Sequence, residues 1–178
     1  MKRQQILNIL SAIPPDGLSS DDSRFKTLTG GWTTQSLQKW WDEHPPGTKG
    51  ANFTTCNAFV GTIAVMVGAK AGSWLSKGPL QLDLCNRDVP NSWVPANSGR
   101  SPRPGDFYAM PYIDKQGHVQ QFGHVGIIYH VHDYIFIDTI DSGQGGRNSG
   151  KDYIKWRKNR IWTSGNINGW VDIDTYFP

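Results

Sequence analysis

The sequence predicts an α+β fold, with N-terminal helices packed on an antiparallel β-sheet. Three observations carry that prediction. Apolar residues up to Val67 recur at the three- and four-residue spacing of amphipathic helices. From Asp106 onward they gather in short runs rich in Val, Ile, Tyr and Phe. Two of those runs, 123–131 and 134–141, are separated only by His132-Asp133, the pattern of a hairpin. Helices first and strands after is the order of an α+β domain with an antiparallel sheet.

Taken in order, Ile6, Leu7, Ile9 and Leu10 predict a first helix, which Pro14-Pro15 ends. Residues 16–31 are polar and Gly-rich and read as loop. Thr33 or Thr34 caps a second helix carrying Leu37, Trp40 and Trp41, which stops near His44, before Pro45-Pro46. A third helix opens at Thr54 or Thr55 and places Val60, Ile63, Ala64 and Val67 on one face. Cys56, four residues before Val60, shares that face. Gly61 and Gly68 permit close backbone approach.

Residues 75–105, interrupted by prolines, read as an extended loop around a site. Pro104-Gly105 is a turn signal, and Asp106-Phe107-Tyr108-Ala109-Met110 reads as a strand. Residues 143–150 form a Gly-rich loop, and 153–156 and 170–173 are further strands.

At 178 residues the chain predicts a single domain, with 1–50 as a helical N-terminal extension and 50–178 as the core. A net charge of +3 suits an anionic partner such as a bacterial wall or membrane face, and falls short of a nucleic-acid-binding signature. No run approaches the ~20 apolar residues of a membrane span. Met1 to Leu10 faintly resembles a signal peptide. Its apolar stretch is short and broken by Asn8, and Pro14-Pro15-Asp16 is a poor cleavage site, so it is read as a helix of the fold. The two cysteines, Cys56 and Cys85, build no zinc pattern, and neither metal nor cofactor is expected. Whether they pair as a disulfide stays open. A monomer is expected.

The chemistry concentrates on Cys56 and His124. A thiol at a helix N-terminus has backbone N–H groups and the positive end of the dipole beside it, which favours thiolate. An imidazole against it completes an activated nucleophile. A two-residue turn at His132-Asp133 sets Val131 opposite Tyr134 and His124 opposite Asp141, where a carboxylate orients the imidazole. Asp138 is the rival and points to the other face in that register; a one-residue shift reverses the choice. Taken singly, a cysteine is most often an inert buried residue, and His44, His118, His130 and His132 read as solvated or core histidines. The joint arrangement is what singles out Cys56 and His124.

That arrangement is Cys56 at a helix start, then Pro104-Gly105-Asp106 leading into a strand, then Gly123-His124-Val125-Gly126-Ile127-Ile128 opening a hairpin. Over roughly residues 50–160 it resembles the papain-related peptidoglycan hydrolases of the NlpC and CHAP type. Ile140-Asp141-Ser142-Gly143-Gln144-Gly145-Gly146 resembles the acidic-then-Gly-rich end of the hairpin in CHAP-like members. The chain departs from the group's common Asp-Cys-Ser-Gly or Asn-Cys start, having Thr54-Thr55-Cys56-Asn57. The loop before Pro104 is also long and Trp-bearing.

The resemblance implies a papain-like core with Cys56 as nucleophile, His124 as base and Asp141 as the orienting residue. It implies a cysteine-dependent amidase or endopeptidase cutting an amide bond in cell-wall peptide stems. The Cys56 N–H is the natural first oxyanion donor; Asn52, Thr54 and Thr55 remain open for the second. The expected protein is made in a bacterial cytoplasm and acts in the periplasm or wall. It is either an exported antibacterial toxin with a cognate immunity protein or a phage lysin. The alternatives are a Cys–His acyltransferase of related fold, and a non-catalytic wall-binding or interaction module. Trp32, Trp74 and Trp93 line a cleft or form a satellite apolar cluster. The basic stretch from Lys151 to Arg160 reads as a strand with one solvated face, or as a contact to an anionic polymer.

Overall fold

The computed structural model describes residues 1–44, 54–113, 116–143, 151–163 and 165–178. Pro45-Pro46, Asn52 and positions 144–150 of the predicted Gly-rich loop lie outside them. The fold is α+β. The helices are α1 (Lys2–Ser11), α2 (Ser23–Leu28), α3 (Thr34–Glu43), α4 (Thr55–Met66) and α5 (Ile173–Tyr176). The strands are β1 (Leu18–Ser19), β2 (Trp93–Pro95), β3 (Phe107–Ile113), β4 (Val119–Val131), β5 (Phe136–Asp141), β6 (Tyr153–Ile161) and β7 (Gly169–Val171). They form one sheet in the order β1-β6-β5-β4-β3-β7-β2, and every pairing is antiparallel.

Two of the helices, α2 and α4, begin where side chains satisfy backbone N–H groups. Asp22 accepts the Arg24 N–H at the start of α2 (2.8 Å). Asn57 reaches back to the Thr54 N–H at the start of α4 (2.9 Å). α4 is buried around much of its circumference, with Cys56, Phe59, Val60, Ile63 and Ala64 all in the core. It lies against the sheet face carrying Phe107, Ala109, Val125, Ile127 and Ile140, joined there by Ile6 and Leu10 of α1 and Phe25 of α2. Residues of the N-terminal segment from Ile6 to Leu28 therefore contribute to the same core as the rest of the chain. The opposite sheet face holds a smaller cluster of Tyr108, Ile128, Ile137, Trp162, Ile167 and Trp170.

The predicted loop at 16–31 contains β1 and α2. Phe25 and Leu28 are buried one helical turn apart, a signal too short to stand out in a polar stretch. The predicted loop at 75–105 likewise contains two 3-10 turns, Leu75–Lys77 and Leu82–Arg87, as well as β2. Trp74 and Trp93 pack against the main core there, and Lys77 and Arg87 lie over the Trp74 ring.

The hairpin register corrects the expected one. His132 N–H bonds to the Phe136 carbonyl (3.0 Å), so the loop is Asp133, Tyr134 and Ile135 and not His132-Asp133. The Asp133 carboxylate stabilises it by accepting the N–H groups of Ile135 (2.7 Å) and Phe136 (3.0 Å). Val131 accordingly faces Ile137 and His130 faces Asp138. A bulge between Ile128 and His130 then leaves Tyr129 as the extra residue, and from there Ile128 faces Thr139 and Ile127 faces Ile140. One step further puts Gly126, and not His124, opposite Asp141.

Candidate active site

The longer loop alone would have turned Asp141 to the α4 face, because a one-residue shift exchanges the faces of a strand. The Tyr129 bulge shifts the register once more and restores the original face. Asp141 is thus the diagonal neighbour of His124 and not its direct partner, yet the two share one side of the sheet. Asp141 Oδ2 lies 3.5 Å from His124 Nε2, an ion-pair separation longer than a good hydrogen bond. Asp138 lies further along the hairpin, paired with His132 (2.9 Å).

The Asp141 carboxylate is fully buried and is held from several sides. Tyr108 donates its hydroxyl to Oδ1 (2.8 Å), while Thr139 (3.2 Å) and Arg160 (2.7 Å) donate to Oδ2. Gly126 makes room for it, since a Cβ there would collide with Oδ1. Burial alone would raise the Asp141 pKa. His124, the Arg160 charge and Tyr108 outweigh it and hold the carboxyl below its usual range.

Cys56 sits in the first turn of α4 and is 5% exposed. β5 ends at Asp141, and the start of α4 takes up the space beyond it. A Cβ on Gly143 would lie 3.2 Å from Thr55 Oγ1 and 3.6 Å from the Cys56 nitrogen. The Val125 backbone lies close enough to the thiol to lower its pKa. Cys56 belongs to the core cluster that includes Val125 and Ile127 of β4.

The thiol contacts the Thr54 hydroxyl (2.8 Å), and His124 lies close enough to act on its ionisation. Burial pushes the Cys56 pKa up, but His124, Thr54 and the Val125 backbone more than offset that, and the thiol is acidified. Burial likewise opposes charge on His124; Asp141 and Cys56 outweigh it and raise the imidazole pKa well above its usual value. The arrangement favours a thiolate–imidazolium pair.

Cys85 shows the opposite behaviour within the same chain. It is free, like Cys56, and buried, but its neighbours are Asp88 and Asp83. Burial first, and then those carboxylates, push its thiol far up.

Residues that the sequence reading passed over are those that hold Asp141. Tyr108 faces Gly126 across the β3–β4 ladder, so a bulky residue opposite a glycine was the available signal. Arg160 lies beyond a β5–β6 irregularity and carried none. A cleft of about 510 Å³ opens beside the imidazole, lined by Met110, His124, Arg157, Lys158 and Arg160. None of Trp32, Trp74 and Trp93 is among its described lining residues. No group of His, Cys, Asp and Glu among the described residues is arranged to hold a metal, and no described helix is long and apolar enough to cross a membrane. No protein-family model, curated protein or solved structure matches the chain.

Proposed function

We propose that the protein is a papain-like cysteine hydrolase of the NlpC/CHAP type, an amidase or endopeptidase that cuts an amide bond in peptidoglycan stems. The observation that carries the reading is the convergence of an acidified Cys56 thiol, the His124 imidazole and a buried, multiply held Asp141 carboxylate. The wall substrate rests on the motif order from Cys56 through Gly126.

In this reading the Cys56 sulfur bonds to the amide carbonyl carbon, and the carbonyl oxygen gains the negative charge. The Cys56 N–H has no intrahelical carbonyl to bond at this position and serves as an oxyanion donor. The C–N bond breaks as His124 gives its proton to the leaving amine. Water then attacks the thioester while His124 takes a proton, and the thiolate departs. Asp141 holds the imidazole in orientation and stabilises its charged form.

The charged lining of the cleft favours hydrolysis of a polar substrate over transfer to a lipid, which calls for an apolar tunnel. The contrast with Cys85 argues against a purely structural Cys56. The proposed setting remains the bacterial periplasm or wall, reached as an exported toxin with an immunity partner or as a phage lysin.

Digestion of purified peptidoglycan with wild type and Cys56→Ala, read by mass spectrometry, tests the proposal. New stem fragments with wild type only are expected, and their termini identify the bond. Equal fragments from both proteins, or none from wild type, would overturn it.

A further inference from the structure

The leaving amine must depart past the group that protonates it, so the amine half of the substrate lies on the imidazole side of the thiol. The cleft beside His124 is on that side. We propose that this cleft is the leaving-group subsite and selects an amine-side residue bearing a free carboxylate, which Arg157 and Lys158 hold. The inference rests on the reading of Cys56 and His124 as the reacting pair.

The cleft's described lining contains three permanent cations and no carboxylate. Arg160 is turned inward, with one nitrogen on Asp141 (2.7 Å) and another on the Met110 sulfur (3.2 Å). Arg157 and Lys158 are the exposed cations at the rim. Consecutive residues of a regular strand point to opposite faces, so these two could not normally line one cleft. A bulge makes it possible. Thr139 faces Arg157 while Ile137 faces Arg160, so Lys158 and Asn159 together oppose Asp138. Asn159 adopts a left-handed φ of 54°, and its N–H is held by Asp138 (2.9 Å). Bulges beside sites re-aim side chains in this manner. Met110, directly opposite His124, supplies an adaptable apolar floor for the rest of the residue. Adjacent cations at the rim suit a carboxylate.

Alkylation separates this inference from the reading beneath it. Cys56 is treated with iodoacetate, an anion, and with neutral iodoacetamide, in wild type and in the double variant Arg157→Gln/Lys158→Gln. The modified cysteine is located by mass spectrometry, and circular dichroism checks the fold. The expected result is a wild-type iodoacetate-to-iodoacetamide rate ratio severalfold higher than the double variant's. The companion measurement uses a muropeptide with free carboxylates and the same muropeptide carboxyl-amidated. The double variant should raise KM for the free acid severalfold with kcat little changed, and the preference for the acid should collapse. Ready alkylation by iodoacetamide with a ratio unchanged in the variant would overturn the subsite alone. Failure of Cys56 to react with either reagent would overturn the cysteine reading and the subsite with it.

Discussion

Gly126 lies directly under the Asp141 carboxylate, and its missing side chain is what lets that carboxylate reach His124. A Cβ there would meet both Asp141 Oδ1 and the Tyr108 ring, at 2.8 Å from Cε1. Gly126→Ala should therefore displace Asp141 and cost about 1–3 kcal/mol of stability through overpacking. A loss of activity well beyond that expected from the lost folded fraction should accompany it. Activity and thermal melting measured together check this. Unchanged kcat would mean that Asp141 does not act through His124.

The pair of shifted ionisations fixes the shape of the pH profile. The Cys56 thiol is acidified, so the acid limb of activity should fall below the ordinary cysteine range. The His124 pKa is raised, so the proton needed by the leaving amine should persist above the ordinary histidine range. Among the groups raising it, Asp141 is the largest. Asp141→Asn should thus move the alkaline limb down and narrow the bell from that side. A kcat/KM profile over pH 5–10 reads this directly. A narrowing from the acid side only would contradict the assignment.

Two serine substitutions separate chemistry from packing. Cys56→Ser should fold and lose nearly all activity, because a hydroxyl is a far weaker nucleophile without the acidified sulfur. Cys85→Ser places a hydroxyl at a fully buried position and should cost about 1–3 kcal/mol while the folded fraction keeps its activity. Urea unfolding and a peptidoglycan release assay make the comparison. The reverse pattern would point to the wrong cysteine.

An ion-pair cluster joins the first helix to the last. Arg3 contacts Asp106 (2.8 Å) and Asp174 (3.0 Å), while Arg100 and Arg103 grip Asp172 (2.7 and 2.6 Å). Burial raises the Asp106 pKa to about 6, even against the opposing charge of Arg3. A raised folded pKa means stability is lost as pH rises through it, and Arg3 limits that loss. Arg3→Met should cost about 3–5 kcal/mol where Asp106 is ionised. The cost should be greatest well above pH 6 and shrink below it, as Asp106 takes up its proton. Melting curves across pH 4.5–8 test this; a pH-independent cost would mean that Arg3 contributes packing alone.

Much of this architecture was legible in the sequence, because it follows from local periodicity. The existence of α1, the starts of α3 and α4, and the existence of β3, β4 and β5 were marked by helical spacing, caps and β-branched runs. The hairpin register was not legible, and the reason is physical. The Asp133 carboxylate widens the loop through side-chain hydrogen bonds, and the Tyr129 bulge then corrects the alternation, so two unseen displacements leave Asp141 on the expected face. The partners of Asp141 were hidden for a related reason. Arg160 reaches it only across the second bulge, at Lys158 and Asn159, and no pattern within either strand announces a bulge.

The tight seating of α4 bears on how such a protein can diversify. Side chains at Gly61 and Gly78 would run into the Ser76 and Asn57 backbones, so the helix that carries the sulfur has little freedom to slide or rotate. Arg157 and Lys158, by contrast, stand exposed at an irregular point of β6, where replacements disturb little packing. Homologues adapting to different substrates should therefore vary first along that stretch of β6, while the residues at positions 54–61 stay nearly fixed.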